Sequence, residues 1–396
     1  MKRRFLILVS AILVLCTLLS LVGCVAEEAP TADETEPQKT NAPTQKPTQK
    51  PTEKVTKKPS TDDDKEVSYR KYKLAEDLKY FKLIGRTQTL GDGISCDFTA
   101  SGIEFEGVMS GDVMLSLACD RATYFTVYID GVRIEERLYA DSSVPSITVA
   151  SFDGEELHNV RVLKQTEPQF SLSVLKELSI KGYLNDAPEN KELYVEFIGD
   201  SITCGYGNLT QNGTPNSGTA LYEDGTQAYA FMTAEALNAD YSIVGCSGIG
   251  VDKGWTDFSE SDFYPKTSFY RDRNGADYKF ERAPDLVVIN LGTNDHGRGS
   301  TEDEFKAGVR ALIEYVRGSY GSEMPVVWAY NMMGNCRFEW TEAVLEDMGG
   351  ENNGIYSVRL EQNNAGGNGH PTLEAQKKAA EDLTKFITEK KLLAAD

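Results

Sequence analysis

Two periodicities divide the chain. Between residues 67 and 185, apolar side chains recur at every second position. Phe125, Val127 and Ile129 alternate with Tyr124, Thr126 and Tyr128; Asp130-Gly131 interrupts, and Val132 and Ile134 resume the alternation. A period of two belongs to a strand, and Asp-Gly between two such runs marks a tight hairpin turn. Val113, Leu115 and Leu117 repeat the pattern, as do His158, Val160 and Val162 against Asn159, Arg161 and Leu163. No helical stretch interrupts these runs, so the segment predicts an all-β sandwich of jelly-roll type. From Glu192 the pattern changes. Short apolar runs at 194–198, 241–246, 286–291, 325–330 and 355–358 are separated by helical candidates at 228–237 and 302–316, and a last helix carries Ala379, Leu383, Phe386 and Ile387 on one face. Strands alternating with helices predict an α/β fold with a doubly wound, flavodoxin-like parallel sheet of five strands. In such sheets, sites form at the carboxyl ends of the strands.

The first 66 residues show neither period. Lys2-Arg3-Arg4 precede an uncharged run from Phe5 to Gly23, the layout of an export signal over residues 1–23. Leu21-Val22-Gly23-Cys24 resembles a bacterial lipobox, which implies cleavage before Cys24 and lipidation of that cysteine. An uncleaved membrane helix is the alternative. Both place the remainder outside the cytoplasm, tethered to a membrane. Residues 24–66 hold six prolines, and Thr44-Gln45-Lys46-Pro47 recurs as Thr48-Gln49-Lys50-Pro51. So little apolar surface cannot offset ordering entropy, so this stretch reads as a disordered linker, and its Asp62-Asp63-Asp64 as solvated charge rather than a calcium site. The expected domains are then 67–185 and 190–396.

Composition narrows the partners. A chain of 396 residues suits about two domains. Its net charge of −20 repels phosphate backbones and argues against nucleic acid. Cys16 leaves with the leader and Cys24 carries the lipid. Cys96, Cys119, Cys204, Cys246 and Cys336 remain, with no zinc-type spacing, and are expected to be buried free thiols. No cofactor or metal is expected, and a monomer is the default.

The candidate chemistry sits where the apolar runs end. Gly199-Asp200-Ser201 follows the first strand, Cys246-Ser247-Gly248 the second, Gly292-Thr293-Asn294-Asp295 the third, and Gly369-His370-Pro371 the last, at the entry to the final helix. Folding can gather Ser201, Gly248, Asn294 and His370 at one crevice. A serine hydroxyl needs a base, and imidazole titrates in the right range. A tetrahedral oxyanion needs fixed donors, which the Ser201 and Gly248 N–H groups and the Asn294 amide can supply. Asp200 reads as structural. His158 belongs to the β region, and His296 lies beside Asn294 rather than across from the serine. Trp328 reads as core, whereas Trp340, after the fourth strand, can either stack on a sugar or pack a loop. Tyr206, Tyr229 and Tyr264 share that ambiguity.

In this order, Ser201, Gly248, Asn294 and His370 resemble the defining residues of the SGNH (GDSL-type) hydrolases. Residues 197–208 (FIGDSITCGYGN), Ala228-Tyr229-Ala230, Asn331-Met332-Met333-Gly334 and His158-Asn159-Val160-Arg161-Val162 look like carbohydrate esterase family 2, the acetyl xylan esterase-like group. The resemblance covers roughly residues 80–391 (motif level) and implies a jelly roll joined to an SGNH domain that removes acetyl groups from plant polysaccharides or oligosaccharides. One position departs from the pattern. The SGNH pattern puts an Asp three residues before the histidine, and this family commonly puts one two residues before it; here those residues are Gly367 and Asn368. The expectation is a Ser–His dyad whose imidazole is oriented by a neutral acceptor, Asn368 or a backbone carbonyl, with Glu361 as the alternative carboxylate. On that expectation, Asn368→Asp should raise the rate if the site tolerates it. Two other functions stay open: an esterase for another acyl group or a cell-envelope glycan, and a carbohydrate-binding surface protein whose hydrolytic site has decayed.

Overall fold

Asp130 and Gly131 both adopt positive φ, 51° and 79°, and the strands they join pair Ile129 with Val132. That is the two-residue turn expected of Asp-Gly, because its twist matches that of the flanking strands. The computed structural model describes residues 68–334 and 336–393. The leader, Cys24 and the Pro-rich linker lie outside the described residues. Among the described residues, no helix is long and apolar enough to cross a membrane.

The front domain is antiparallel. Strand β1 (Gly102–Cys119) pairs with β3 (Ser146–Lys164) on one side and β4 (Ser173–Leu184) on the other, and β3 also pairs with β2 (Thr123–Ile129). Val113, Leu115, Leu117, Phe125, Val127, Val160 and Val162 meet in one core, as their period of two requires. The opposite face departs from simple alternation. Tyr128, Leu163 and Ala100 are also buried, packed into the core of the following domain. Phe98 meets Phe263 edge-on at 5.4 Å, and Arg161 covers the Tyr128 ring at 4.3 Å while forking onto Glu235 at 2.8 and 2.7 Å. An apolar–polar rhythm identifies one buried face; here the second domain covers the other. Burying side chains the size of Leu163 or Phe98 contributes about 1.5–3 kcal/mol each, so the junction between the two domains is an apolar core rather than a surface contact.

The second domain is a parallel sheet of five strands: β5 (Leu193–Gly199), β6 (Ala239–Gly245), β7 (Leu286–Asn290), β8 (Val326–Tyr330) and β9 (Ile355–Arg359), in the order β6-β5-β7-β8-β9. Besides a single helical turn at Glu260–Phe263, its helices are α1 (Ser201–Cys204), α2 (Tyr229–Ala236), α3 (Thr293–Gly297), α4 (Glu302–Tyr320), α5 (Phe338–Asp347) and α6 (Leu373–Lys390). Helices α2 and α6 cover one face of the sheet and α4 and α5 the other, which is why the strands are apolar on both sides. The order reverses at β5, so the crevice at its carboxyl end is where this architecture makes sites. Two details differ from expectation. Helix α5 lies where only a loop was anticipated. Helix α6 begins at Leu373, capped by the Thr372 hydroxyl accepting the Ala375 N–H at 3.2 Å, so Pro371 precedes the cap rather than opening the helix. All five described cysteines are free, four of them buried and Cys336 half-buried.

Candidate active site

Strand β5 ends in a turn built on Asp200. Its carboxylate accepts the Ile202 N–H at 2.9 Å and caps α1, leaving Ser201 as the first helical residue. The Ser201 N–H therefore has no intrahelical partner. Asp200 also accepts from the Asn294 amide at 3.0 Å, and that same amide nitrogen donates to Ile249 O at 2.8 Å. Both amide hydrogens of Asn294 are thus engaged in bracing the end of β5 against the loop after β6. Burial, aided by the charges of Asp295 and Glu167, lifts the Asp200 carboxyl to about 7 against the pull of the Ile202 N–H.

The loop after β6 carries Gly248 with φ +84°, and a Cβ there would meet the Trp255 Cβ at 3.1 Å. The left-handed backbone and the close approach both favour glycine, so its role is not packing alone. Two carboxylates fix this loop. Asp295 accepts the Val251, Asp252 and Lys253 N–H groups at 3.1, 2.8 and 3.0 Å. Glu167, from the front domain, accepts both the N–H and the hydroxyl of Ser247.

His370 closes the crevice from the segment before α6. Its Nε2 lies 2.8 Å from Ser201 Oγ, and its Nδ1 lies 3.2 Å from the Gly367 carbonyl. A carbonyl can only accept, so Nδ1 carries the proton and Nε2 presents a lone pair to the serine hydroxyl. Burial lowers the imidazole pKa to about 4, opposed only by the Gly367 and Asn368 backbone carbonyls.

Asn368 is not the orienting group. At φ 52° its side chain leaves the loop, accepts from Ser217 Oγ at 2.8 Å and donates to Tyr206 Oη at 3.1 Å. The backbone-carbonyl alternative is the one observed. Glu361 is exposed and makes no hydrogen bond to His370. Gly367 has a steric reason to lack the usual Asp: a Cβ there would meet Thr210 Cγ2 at 2.8 Å, Ser217 Cβ at 3.0 Å and Gly207 Cα at 3.1 Å.

Ser201, Gly248, Asn294 and His370 line one cleft of about 420 Å³, together with Gln169, Tyr206 and Trp255. Tyr206 stands 4.6 Å from the His370 ring. Trp340 does not reach this cleft. It lies in α5, beside Phe305 and Arg337, so it packs a helix rather than a loop onto the domain, and neither alternative describes it as stated. The exposed indole on the rim is Trp255, 67% accessible, with Arg298 over its ring at 4.6 Å. Tyr229 and Tyr264 are buried, and His158 pairs with Asp130 in the front domain. The roles of Glu167, Gln169, Asp295 and Trp255 were not anticipated. Only Trp255 carried a signal, as an indole in the Gly-rich polar stretch just after Gly248.

Residues 197–375 match the GDSL-like Lipase/Acylhydrolase family, and residues 83–188 match Carbohydrate esterase 2 N-terminal. The chain is 28% identical over 319 residues to the cellulase/esterase CelE of Acetivibrio thermocellus, covering 76% of this chain and 38% of that protein. It is 28% identical over 227 residues to an acetylxylan esterase / glucomannan deacetylase of Cellvibrio japonicus, covering 53% of this chain and 59% of that protein. The chain thus spans less than two thirds of the curated relatives it matches. A family two carbohydrate esterase from Clostridium thermocellum, solved with cellohexaose, superposes with a TM-score of 0.71 at 26% identity, covering 78% of this chain and 98% of that one. The fold also matches an acetyl xylan esterase from the rumen bacterium Butyrivibrio proteoclasticus, with a TM-score of 0.71 at 21% identity, covering 83% and 100% of the two chains.

Proposed function

We propose that the protein is a carbohydrate esterase that removes O-acetyl groups from plant polysaccharides or oligosaccharides through a Ser201–His370 dyad. The observation that carries this reading is the 2.8 Å contact between His370 Nε2 and Ser201 Oγ, with the imidazole in the tautomer that can take the proton. His370 removes the hydroxyl proton as Oγ bonds to the acetyl carbon, and the carbonyl electron pair moves onto oxygen. The Ser201 and Gly248 N–H groups receive that oxyanion, joined by Asn294 as it turns one amide hydrogen from its resting partners. Collapse expels the sugar oxygen, which takes the proton from His370. Water, deprotonated by the same imidazole, then releases acetate and restores the serine. The exposed Trp255 indole offers a stacking surface for the sugar chain.

The similarity to acetylxylan and glucomannan deacetylases supports acetyl as the acyl group. Acetate release from acetylated xylan, acetylated glucomannan and O-acetylated peptidoglycan tests the substrate class, with the plant polysaccharides expected to be preferred. Ser201→Ala should lose about 10⁴-fold or more in kcat. Equal rates for the two proteins would overturn the hydrolase reading and leave a carbohydrate-binding surface protein. We also propose that Cys24 is lipidated and anchors the protein outside the cytoplasm. Labelled palmitate should enter the wild type and not Cys24→Ala; incorporation into both would overturn the anchor.

A further inference from the structure

The segment after β3 is part of the front domain, yet it ends inside the cleft. Lys164 is fully buried, and its ammonium donates to the Asp97 and Thr166 carbonyls at 2.8 and 2.5 Å. Three residues further on, the Glu167 N–H donates to a Glu223 carboxyl oxygen at 2.6 Å. These bonds fix the backbone of residues 164–167, and with it the direction of the Glu167 side chain. That side chain is wholly buried and is committed to the loop after β6. One carboxylate oxygen takes the Ser247 N–H; the other takes the Ser247 hydroxyl and the Gln169 amide, the latter at 2.9 Å. Gln169 lines the cleft itself, held by Arg271 donating to its carbonyl at 3.1 Å, and Phe170 packs against Tyr206, the ring beside His370.

The next peptide after Ser247 carries the Gly248 N–H. Its direction depends on the Ser247 backbone, and Gly248, at positive φ, has little steric preference of its own to hold it. We propose that Glu167 is a positioning residue, supplied by the β-sandwich, that aims the Gly248 N–H at the oxyanion and so makes the front domain a working part of the esterase. This inference rests on the esterase reading above. A carboxylate suits the task because it accepts at both oxygens, and a charge-assisted hydrogen bond to a backbone N–H is roughly twice as strong as a neutral one. Glu223 completes the arrangement: burial raises its carboxyl well above the usual range, and the neighbouring Glu167 charge pushes the same way.

The experiment compares wild type, Ser201→Ala, Glu167→Gln and Glu167→Ala for acetate release from acetylated xylan, with thermal melting as a folding check. Losing one oxyanion donor outright costs about 10²–10³ in rate, so misaiming one should cost about 10- to 100-fold. Glu167→Ala should lose that in kcat with KM changed less than about twofold, because misaiming weakens the transition state and not sugar binding. Glu167→Gln keeps an acceptor for the Ser247 N–H and should stay within about threefold of wild type. If Glu167→Ala destabilises the domain junction, Glu167→Gln still separates the cases: a role as a mere interface pin predicts that kcat follows the fraction folded in both variants. Glu167→Ala with wild-type kcat, or with its loss confined to KM, overturns the inference while an inactive Ser201→Ala leaves the esterase reading intact. Wild type no faster than Ser201→Ala removes both.

Discussion

The two sides of the cleft are built from different materials. On the serine side, buried carboxylates hold every loop: Asp200 caps α1 and anchors Asn294, Asp295 gathers three N–H groups of the 250–255 loop, and Glu167 fixes Ser247. On the histidine side, the imidazole meets a backbone carbonyl, and the neighbouring contacts run through the neutral side chains of Asn368, Ser217 and Tyr206. Carboxylates can do either of two jobs in such a site. They can accept from backbone donors and set geometry, or they can balance an imidazolium during the reaction. Here they do the first. The difference teaches that one cleft can fix its N–H donors tightly with carboxylates while leaving its imidazole without a charged partner.

The largest expected effect comes from removing a brace on the serine side. Asp200→Ala deletes the α1 cap and frees Asn294 together. Loss of a side-chain cap costs about 1 kcal/mol of stability. Misplacing the Asn294 donor adds a drop of about 10- to 100-fold in kcat, rising toward about 10³ if the donor is lost outright. Melting and steady-state kinetics read the two separately. A variant that melts lower yet keeps kcat would mean that the carboxylate holds the turn alone.

Next in size is the pH dependence, which tests the histidine side. The base works when neutral, so activity falls as pH drops through the imidazole pKa. With that pKa lowered by burial from an ordinary 6.5 to about 4, the limb of kcat/KM that belongs to the imidazole should have its midpoint near 4, and any shallower step near 7 belongs to Asp200. A midpoint near 6.5 would show that burial does not depress the imidazole, and one clearly above it would show that a negative charge reaches His370 after all and would erase the contrast between the two sides.

Much of this was legible in the chain. Ser201, Gly248 and Asn294 could be named because each closely follows an apolar strand, and His370 because it stands at the entry to the last helix; in a doubly wound sheet those ends converge. The five strands of the parallel sheet could be drawn from apolar runs, and parts of the front sheet (113–117, 124–134 and 158–163) from period and turn chemistry, but strands such as Gly93–Cys96 and Ser173–Leu184 were not drawn. What could not be read depended on what each surface meets. Period two in 124–129 and 158–163 reports that one face is buried, but not that the following domain covers the other. Glu167 is silent for the same reason, since a buried carboxylate at a domain junction has no local pattern. Trp340 was a candidate for the cleft only while α5 was unseen; once residues 338–347 form a helix, the indole turns to Phe305. Asn368 was misplaced because its left-handed backbone, which residue order does not reveal, swings the amide to Ser217 and Tyr206.

Supplying the missing acid should sharpen the contrast rather than abolish it. Gly367→Asp restores the SGNH pattern but forces a Cβ to within 2.8 Å of Thr210 Cγ2 and 3.1 Å of Gly207 Cα. Overpacking of this kind typically costs about 1–3 kcal/mol. The variant should therefore melt lower and lose activity, and a faster enzyme would show that the loop yields.

Asn368→Asp should have the smallest effect. Asp tolerates the left-handed backbone almost as well as Asn, and its carboxylate can still accept from Ser217 and can take the Tyr206 hydroxyl proton as a new bond. The position is exposed, so water and salt screen the added charge from His370. Its Coulomb attraction favours the imidazolium, so the acid limb should move up, but by less than about one pH unit, with kcat within about threefold of wild type. The midpoint of kcat/KM against pH, measured at low and high salt, checks this. A rise of two units, or a rate gain of tenfold, would mean that the side chain swings inward to Nδ1 and that the histidine side accepts a charged partner once one is offered.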